Sequence, residues 1–270
     1  MSSCVNYSTK SEKLMDPSTI VNIVLSMILL SALIIITIRL FMRLRATKLK
    51  NLEGLIIFFI GQSILGFFMM ASFQLGFYIV EVISFIALAF FINDTFYKNR
   101  KNSFRIVLLL LICLSIGIIT FLVLHLFASI QGQLDFENLY YLLYIYFFTL
   151  AIFLVSLWYS SASYSAYNLI RDEKIDNNIK LRYKVLGFSS LIFALQGFIT
   201  PIHVFLITFI SNYNHQLYTI VNVVILVIFA LGNLYAWVIL GRKIEDSRKA
   251  APSEDEISEE EMMKMIKEGT

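Results

Sequence analysis

The chain has 270 residues, of which 58% are hydrophobic and 15% charged, with a mean hydropathy of +0.75. A soluble domain is about half apolar and about one quarter charged, so these values exclude an ordinary water-soluble globule and place the chain among membrane proteins. The net charge of +3 averages unlike parts: residues 250–270 hold seven acidic residues and two lysines, while the positive remainder is distributed loop by loop, a topology signal rather than a nucleic-acid patch.

Residues 1–17 are polar and read as an extracellular tail, with a glycosylation triplet at Asn6-Tyr7-Ser8. Apolar runs follow at about 19–41, 54–73, 76–97, 104–129, 139–168, 185–210 and 217–240. Each holds about 20 residues or more, enough to cross a hydrocarbon core of ~30 Å as a helix. The first run is too long for a signal peptide, no small-x-small cleavage site follows it, and its dense positive charges come after it, as in an anchor with its N-terminus outside. The expected fold is therefore all-α, an integral membrane seven-helix bundle over residues 18–241. A cytoplasmic acidic tail, 242–270, completes the chain. In that tail Ser253 and Glu256 form a capping box, which predicts a short helix with a thin apolar edge of Ile257, Met262, Met265 and Ile266.

Lys and Arg sort by loop. Five follow span one (Arg39, Arg43, Arg45, Lys48, Lys50) and four lie between spans three and four (Lys98, Arg100, Lys101, Arg105). Five more precede span six (Arg171, Lys174, Lys180, Arg182, Lys184), and Arg242, Lys243, Arg248 and Lys249 follow span seven. The intervening loops carry none. This alternation predicts N-out, C-in in a cell membrane. Of the two cysteines, Cys113 is expected in the core and Cys4 in the tail, unbridged, and no CxxC or other metal-ligand pattern occurs.

The third span carries an anomaly. Its run GFYIVEVISFIALAFFINDTFY places Glu81 five residues inside the outer end, roughly 8 Å deep at the helical rise. An intramembrane carboxylate is costly and marks a site or a partner. Gln74, Tyr78, Glu81 and Ser84 share one helix face; Ser189, Gln196, Thr200 and His203 share a face of span six, where Pro201 predicts a kink; Asn222 and Asn233 lie on one side of span seven. Polar stripes belong in the bundle interior. Glu81, His203, Asn222, Tyr78 and Gln196 are the candidates for an outward-facing pocket that binds a ligand or a proton, because a carboxylate beside an imidazole exchanges protons or holds a cationic group. The competing reading is a hydrogen-bond network that glues helices together. His125 reads as an interfacial residue near the outer end.

Toward the inner end the candidates are Asp94, four residues before Lys98 and expected to pair with it; Tyr164, in the stretch SLWYSSASYSAYN, whose small residues permit close helix packing; and Asn233, in Asn233-Leu234-Tyr235. No catalytic residues are predicted. There is no Ser-His-Asp ordering, phosphate loop or paired carboxylate, and the expectation is a non-enzyme without cofactor or metal.

Seven spans with short loops resemble the rhodopsin-like arrangement, but the span-seven lysine of a retinal Schiff base is missing, and Asp94 is followed by Thr95 rather than by the Arg of the receptors' acidic-Arg-aromatic triad. In size, short loops and the basic stretch NNIKLRYKVLGF entering span six, the chain resembles the seven-span membrane sensor regions fused to prokaryotic sensor kinases. That resemblance implies a sensory membrane module; it assigns no role to any residue, and the kinase is absent from this sequence. The leading functional expectation is a receptor or sensor. The alternatives are a small-solute or proton-coupled carrier and a structural or accessory subunit. The expected partners are the lipid bilayer and a cytosolic protein contacted through the inner loops and tail, with no nucleic acid.

Overall fold

The computed structural model describes residues 17–70, 74–97, 101–173, 175–209, 215–250 and 266. Among them all regular structure is helical: α1 (Pro17–Thr47), α2 (Leu52–Met70), α3 (Gln74–Phe96), α4 (Lys101–Ile130), α5 (Leu134–Ile170), α6 (Asn177–Ala194), α7 (Gln196–Phe209), α8 (His215–Leu234), a π-helical turn (Tyr235–Ile239) and α9 (Leu240–Ala250). Six helical stretches are long and apolar enough to cross a membrane: Ile20–Thr47, Gly76–Phe96, Asn102–Ile130, Leu139–Ile170, Asn177–Ile207 and Leu217–Asp246. Leu52–Leu65 in α2 is a shorter apolar helix. The chain is a multi-pass membrane protein. Its large apolar side chains are abundant on the outside, Met27, Leu109, Ile116, Phe188 and Phe198 among them, because lipid supplies there the apolar contact that water denies a soluble protein.

The helices close into a ring. α1 packs on α2 and α8, α2 on α3, α3 on α4 and α5, α5 on α4, α6 and α7, and α6 with α7 on α8. α4 leans on the outside of α3 and α5. That position corrects one expectation: Cys113 on α4 is exposed rather than in the core, since only one side of this helix meets the bundle. The interior is rich in phenylalanine, with Phe193 and Phe229 stacked at 4.5 Å and Phe58 and Phe59 fully buried.

The tightest seam is α2 against α3. A methyl group built on Gly54 would come within 2.5 Å of the Ala87 carbonyl oxygen, and one on Gly61 would collide with the Ser84 hydroxyl. Missing side chains let these two backbones approach, as small residues do at membrane helix interfaces. The small residues of α5 act the same way: Ser160 donates to the Gly187 carbonyl oxygen at 2.8 Å, and Ala162 and Ala166 are fully buried.

Boundaries shift where polar residues extend a helix beyond its apolar run. α5 begins at Leu134 and α6 at Asn177, where the Asp176 side chain accepts from the Asn178 backbone at 2.8 Å. At Leu195 the hydrogen-bond pattern shifts for one residue, its N–H turning to the Ile192 carbonyl at 3.1 Å, while the backbone stays right-handed helical and Ile199 still donates to the Leu195 carbonyl at 3.0 Å. Pro201 offers no N–H to the Gly197 carbonyl and crowds it. Gly197 meanwhile lies so close to α5 that a methyl group there would sit 2.7 Å from the Phe153 Cβ. At the other end of the chain, the helix of span seven continues through the π turn to Ala250. The capping box and most of the expected tail helix lie outside the described residues, as do the glycosylation triplet and Lys98, the expected partner of Asp94; Ile266 is helical and fully buried.

Candidate functional site

The polar side chains gather in two places, one at each end of the bundle. The first surrounds Tyr78 and Glu81 on α3. Glu81 is 4% exposed, and Gln62 of α2 donates to its Oε2 at 3.1 Å. Ser84, one turn away, is satisfied within its own helix by the Val80 carbonyl at 2.8 Å. Tyr78 is the junction of the cluster. Its hydroxyl is the hydrogen-bond partner of Tyr144 on α5, and it lies within electrostatic reach of Glu81, Tyr141 and Tyr218. The Tyr78 ring meets Tyr144 edge-on at 5.2 Å and Phe148 at 5.2 Å. His125 of α4 lies against Tyr141 and Tyr144 at 5.7 and 5.8 Å, so it points into this aromatic group.

Across the ring, His203 of α7 stacks on Tyr218 of α8 with 3.5 Å between centroids and 2° between planes, and the Tyr218 hydroxyl donates to the Thr200 hydroxyl at 3.0 Å. This pair bridges α7 and α8 just where Pro201 and Leu195 have weakened the helix. Asn222 lies one turn along from Tyr218. The carbonyl oxygens of Asn222 and Gln196 are buried with no hydrogen-bond partner among the described residues. Buried acceptors of this kind call for water, an ion or a ligand donor.

Of the five outer candidates, the fold thus brings Tyr78 to Glu81 and links both toward His203 through Tyr218. Among the described residues α3 and α7 do not pack directly on one another, because α5 stands between them. The hydrogen-bond partner of Glu81 is Gln62, which sequence reading passed over. Its signal was present: Leu55, Phe58, Gln62 and Leu65 recur at helical spacing, and Leu55, Phe58 and Leu65 are buried. The inner candidates stay apart. Asp94 is exposed and accepts from Asn93 at 3.1 Å; Tyr164 packs over Gly187; Asn233 is fully buried and donates to the Phe229 carbonyl of its own helix at 2.9 Å.

The second cluster was missed altogether. Arg43 of α1 and Arg182 of α6 were read as loop charges, yet they are 8% and 3% exposed. Their guanidinium carbons lie 5.8 and 4.7 Å from the centroid of the Trp237 indole, which is carried by the π turn. The buried Tyr159 lies within electrostatic reach of Arg182. Phe91, Phe96 and Tyr183 complete an aromatic wall. Around it Arg39 pairs with Glu245, and Asn51 donates to Thr95 at 3.1 Å. Helical phase again held the signal: Ile179, Arg182, Leu186, Ser189 and Phe193 mark the buried face of α6.

Among the described residues no group of His, Cys, Asp and Glu is placed to hold a metal ion. Compared with protein-family models, with curated proteins and with solved structures, the chain has no match.

Proposed function

We propose that the chain is a non-enzymatic seven-span receptor or sensor, oriented N-out and C-in, whose responsive element is the outer-half cluster around Glu81 and Tyr78. The observation that carries this reading is a buried carboxyl, Glu81, hydrogen-bonded across the tight α2–α3 seam by Gln62. Next to it Tyr78 connects the seam to Tyr144 and Phe148 on α5, and His203 stacks on Tyr218 across α7 and α8. A change of charge at Glu81, by protonation or by a cationic or donor-bearing small ligand, alters a helix-to-helix contact directly. The unpaired acceptors of Gln196 and Asn222 suit the same class of ligand. The loop-by-loop separation of positive charge supports the orientation, and the apolar α2, packed on α1 and α3, would be the remaining span. The basic inner loops and acidic tail would then meet a cytosolic partner.

Glu81→Gln tests this reading. It should remove any pH- or ligand-dependent change in hydrogen exchange along α2 and α3 while leaving expression near normal. Simple destabilisation with no loss of response would favour the accessory-subunit reading, in which the network is glue.

A second reading is a small-solute or proton-coupled carrier, favoured by Pro201 inside a membrane-spanning helix, beside the polar stripe. Proteoliposomes loaded with a proton-sensitive dye decide between them: flux under an imposed gradient supports the carrier, and no flux removes it.

A further inference from the structure

We propose that the groove between α6 and α8 holds one phospholipid with an anionic headgroup, its phosphate on Lys184 and an acyl chain against Phe188, Ile228 and Leu231. The groove has a volume of about 530 Å³, within the ~300–1,000 Å³ of sites that enclose small molecules. Its walls are two helical stripes of identical spacing, Leu181 to Phe188 on α6 and Ile228 to Tyr235 on α8 and the π turn, each taken at i, i+3, i+4 and i+7. Its floor lies where the helices touch: a methyl group built on Gly232 would come within 2.5 Å of the Ser189 Cβ. Tyr164 of α5 joins the lining, its ring against Gly187.

The lining is graded along the helix axis. Ser189 meets Gly232 and Phe193 stacks on Phe229, so the two helices run antiparallel. Lys184 and Tyr235 therefore lie toward the end where α6 begins. Leu231 and Ile228 lie deeper, Ile228 roughly 10 Å along from Tyr235 at the helical rise. Lys184 is the single charge in the lining, and it has no salt bridge or hydrogen bond among the described residues. Phe188, Ile228 and Leu231 are exposed, so the groove opens on lipid and not on the bundle interior. A lysine stem lies along apolar surface while its ammonium reaches the headgroup level, where anionic lipids attract it. A cation, then two tyrosines, then apolar walls match one molecule from end to end: phosphate, glycerol ester, acyl chain. A soluble anion lacks the chain, and a neutral sterol lacks the charge. With the N-terminus outside, as in the proposed function, the lipid belongs to the cytosolic leaflet; the site itself does not depend on that reading.

Native mass spectrometry of the full chain, delipidated in detergent micelles, tests this on titration with phosphatidylglycerol or with phosphatidylcholine of the same acyl chains. One phosphatidylglycerol should be retained under activation that strips phosphatidylcholine. Lys184→Gln should raise its half-saturating concentration about fivefold, the worth of one lysine at an anionic surface, and Lys184→Arg should preserve it. Leu231→Trp fills the groove from a side chain already exposed and should abolish retention. Leu109→Trp, equally exposed to lipid on α4 but outside the groove, should not. Nor should Glu81→Gln, whatever the fate of the outer cluster. Equal retention of both lipids, retention that survives Leu231→Trp, a loss shared equally by Leu109→Trp, or indifference to Lys184→Gln overturns the proposal. So does a dimer that Leu231→Trp dissolves, which would give the groove to a second copy of the chain.

Discussion

Gln62 on α2 donates a hydrogen bond to Glu81 on α3 at 3.1 Å, and the two helices are held at that distance by Gly54 and Gly61. The bond is therefore part of the closest helix contact in the ring, not a surface adornment. A double-mutant cycle with Gln62→Leu and Glu81→Met, which deletes both donor and acceptor, read by unfolding in bicelles, should return a coupling of roughly 0.6 kcal/mol and at most about 1.7, the average and maximum found for side-chain hydrogen bonds between membrane helices. A coupling indistinguishable from zero would separate Glu81 from the α2–α3 seam.

The two seam glycines should not be equivalent. Gly54→Ala drives a methyl group against the backbone carbonyl of Ala87, which cannot turn aside, whereas Gly61→Ala meets the Ser84 hydroxyl, which can rotate. Overpacking of this kind costs about 1–3 kcal/mol. Gly54→Ala should therefore lower stability within that range and Gly61→Ala less, in the same bicelle assay. The opposite order would mean that the seam is looser at Gly54 than its geometry requires.

On the far side of the cluster, Tyr218 makes two separable contacts. Tyr218→Phe keeps the stack on His203 and deletes the hydrogen bond to Thr200; Tyr218→Leu deletes both. The additional loss in the leucine variant should be about 0.5–1.5 kcal/mol, the worth of an aromatic pair beyond its buried area. Equal losses in the two variants would show that the stack contributes nothing.

Acid response has an internal control outside the membrane. Arg171 holds the Asp172 carboxyl below the ordinary carboxylate range through a hydrogen bond and its charge. A depressed folded-state pKa contributes stability that is present above the unfolded pKa and is lost as pH falls through the folded value. Any such loss lies in the acid range, and the pair is fully exposed, where ion pairs contribute little. Asp172→Asn should leave a conformational response near neutral pH unchanged. A response that shifts with this substitution would relocate the sensor to the α5–α6 loop.

Much of the fold was legible because its signals are one-dimensional. Apolar runs mark the six stretches long enough to cross a membrane. What escaped depends on phase and neighbours. Arg43 and Arg182 sit within a turn or two of helix ends, where composition alone reads them as loop charges, and only the register set by Ile36 and Leu40, or by Ile179 and Leu186, turns them inward. The approach of Gly197 to Phe153 on α5 is likewise a contact no single-helix argument contains. Whether Glu81 faces His203 or packs against a neighbour depends on ring order, which no single span carries; the ring sets α5 between their helices.

The central claim is that Glu81 is the group whose protonation or ligation changes helix packing. Infrared difference spectroscopy of the lipid-reconstituted chain, stepped in pH, observes the carboxyl stretch and the amide bands together. A carboxyl band should appear and disappear with pH, be absent in Glu81→Gln, and move in step with an amide change that the same substitution abolishes. A carboxyl band that never changes, or an amide change that persists in full without Glu81, would contradict it.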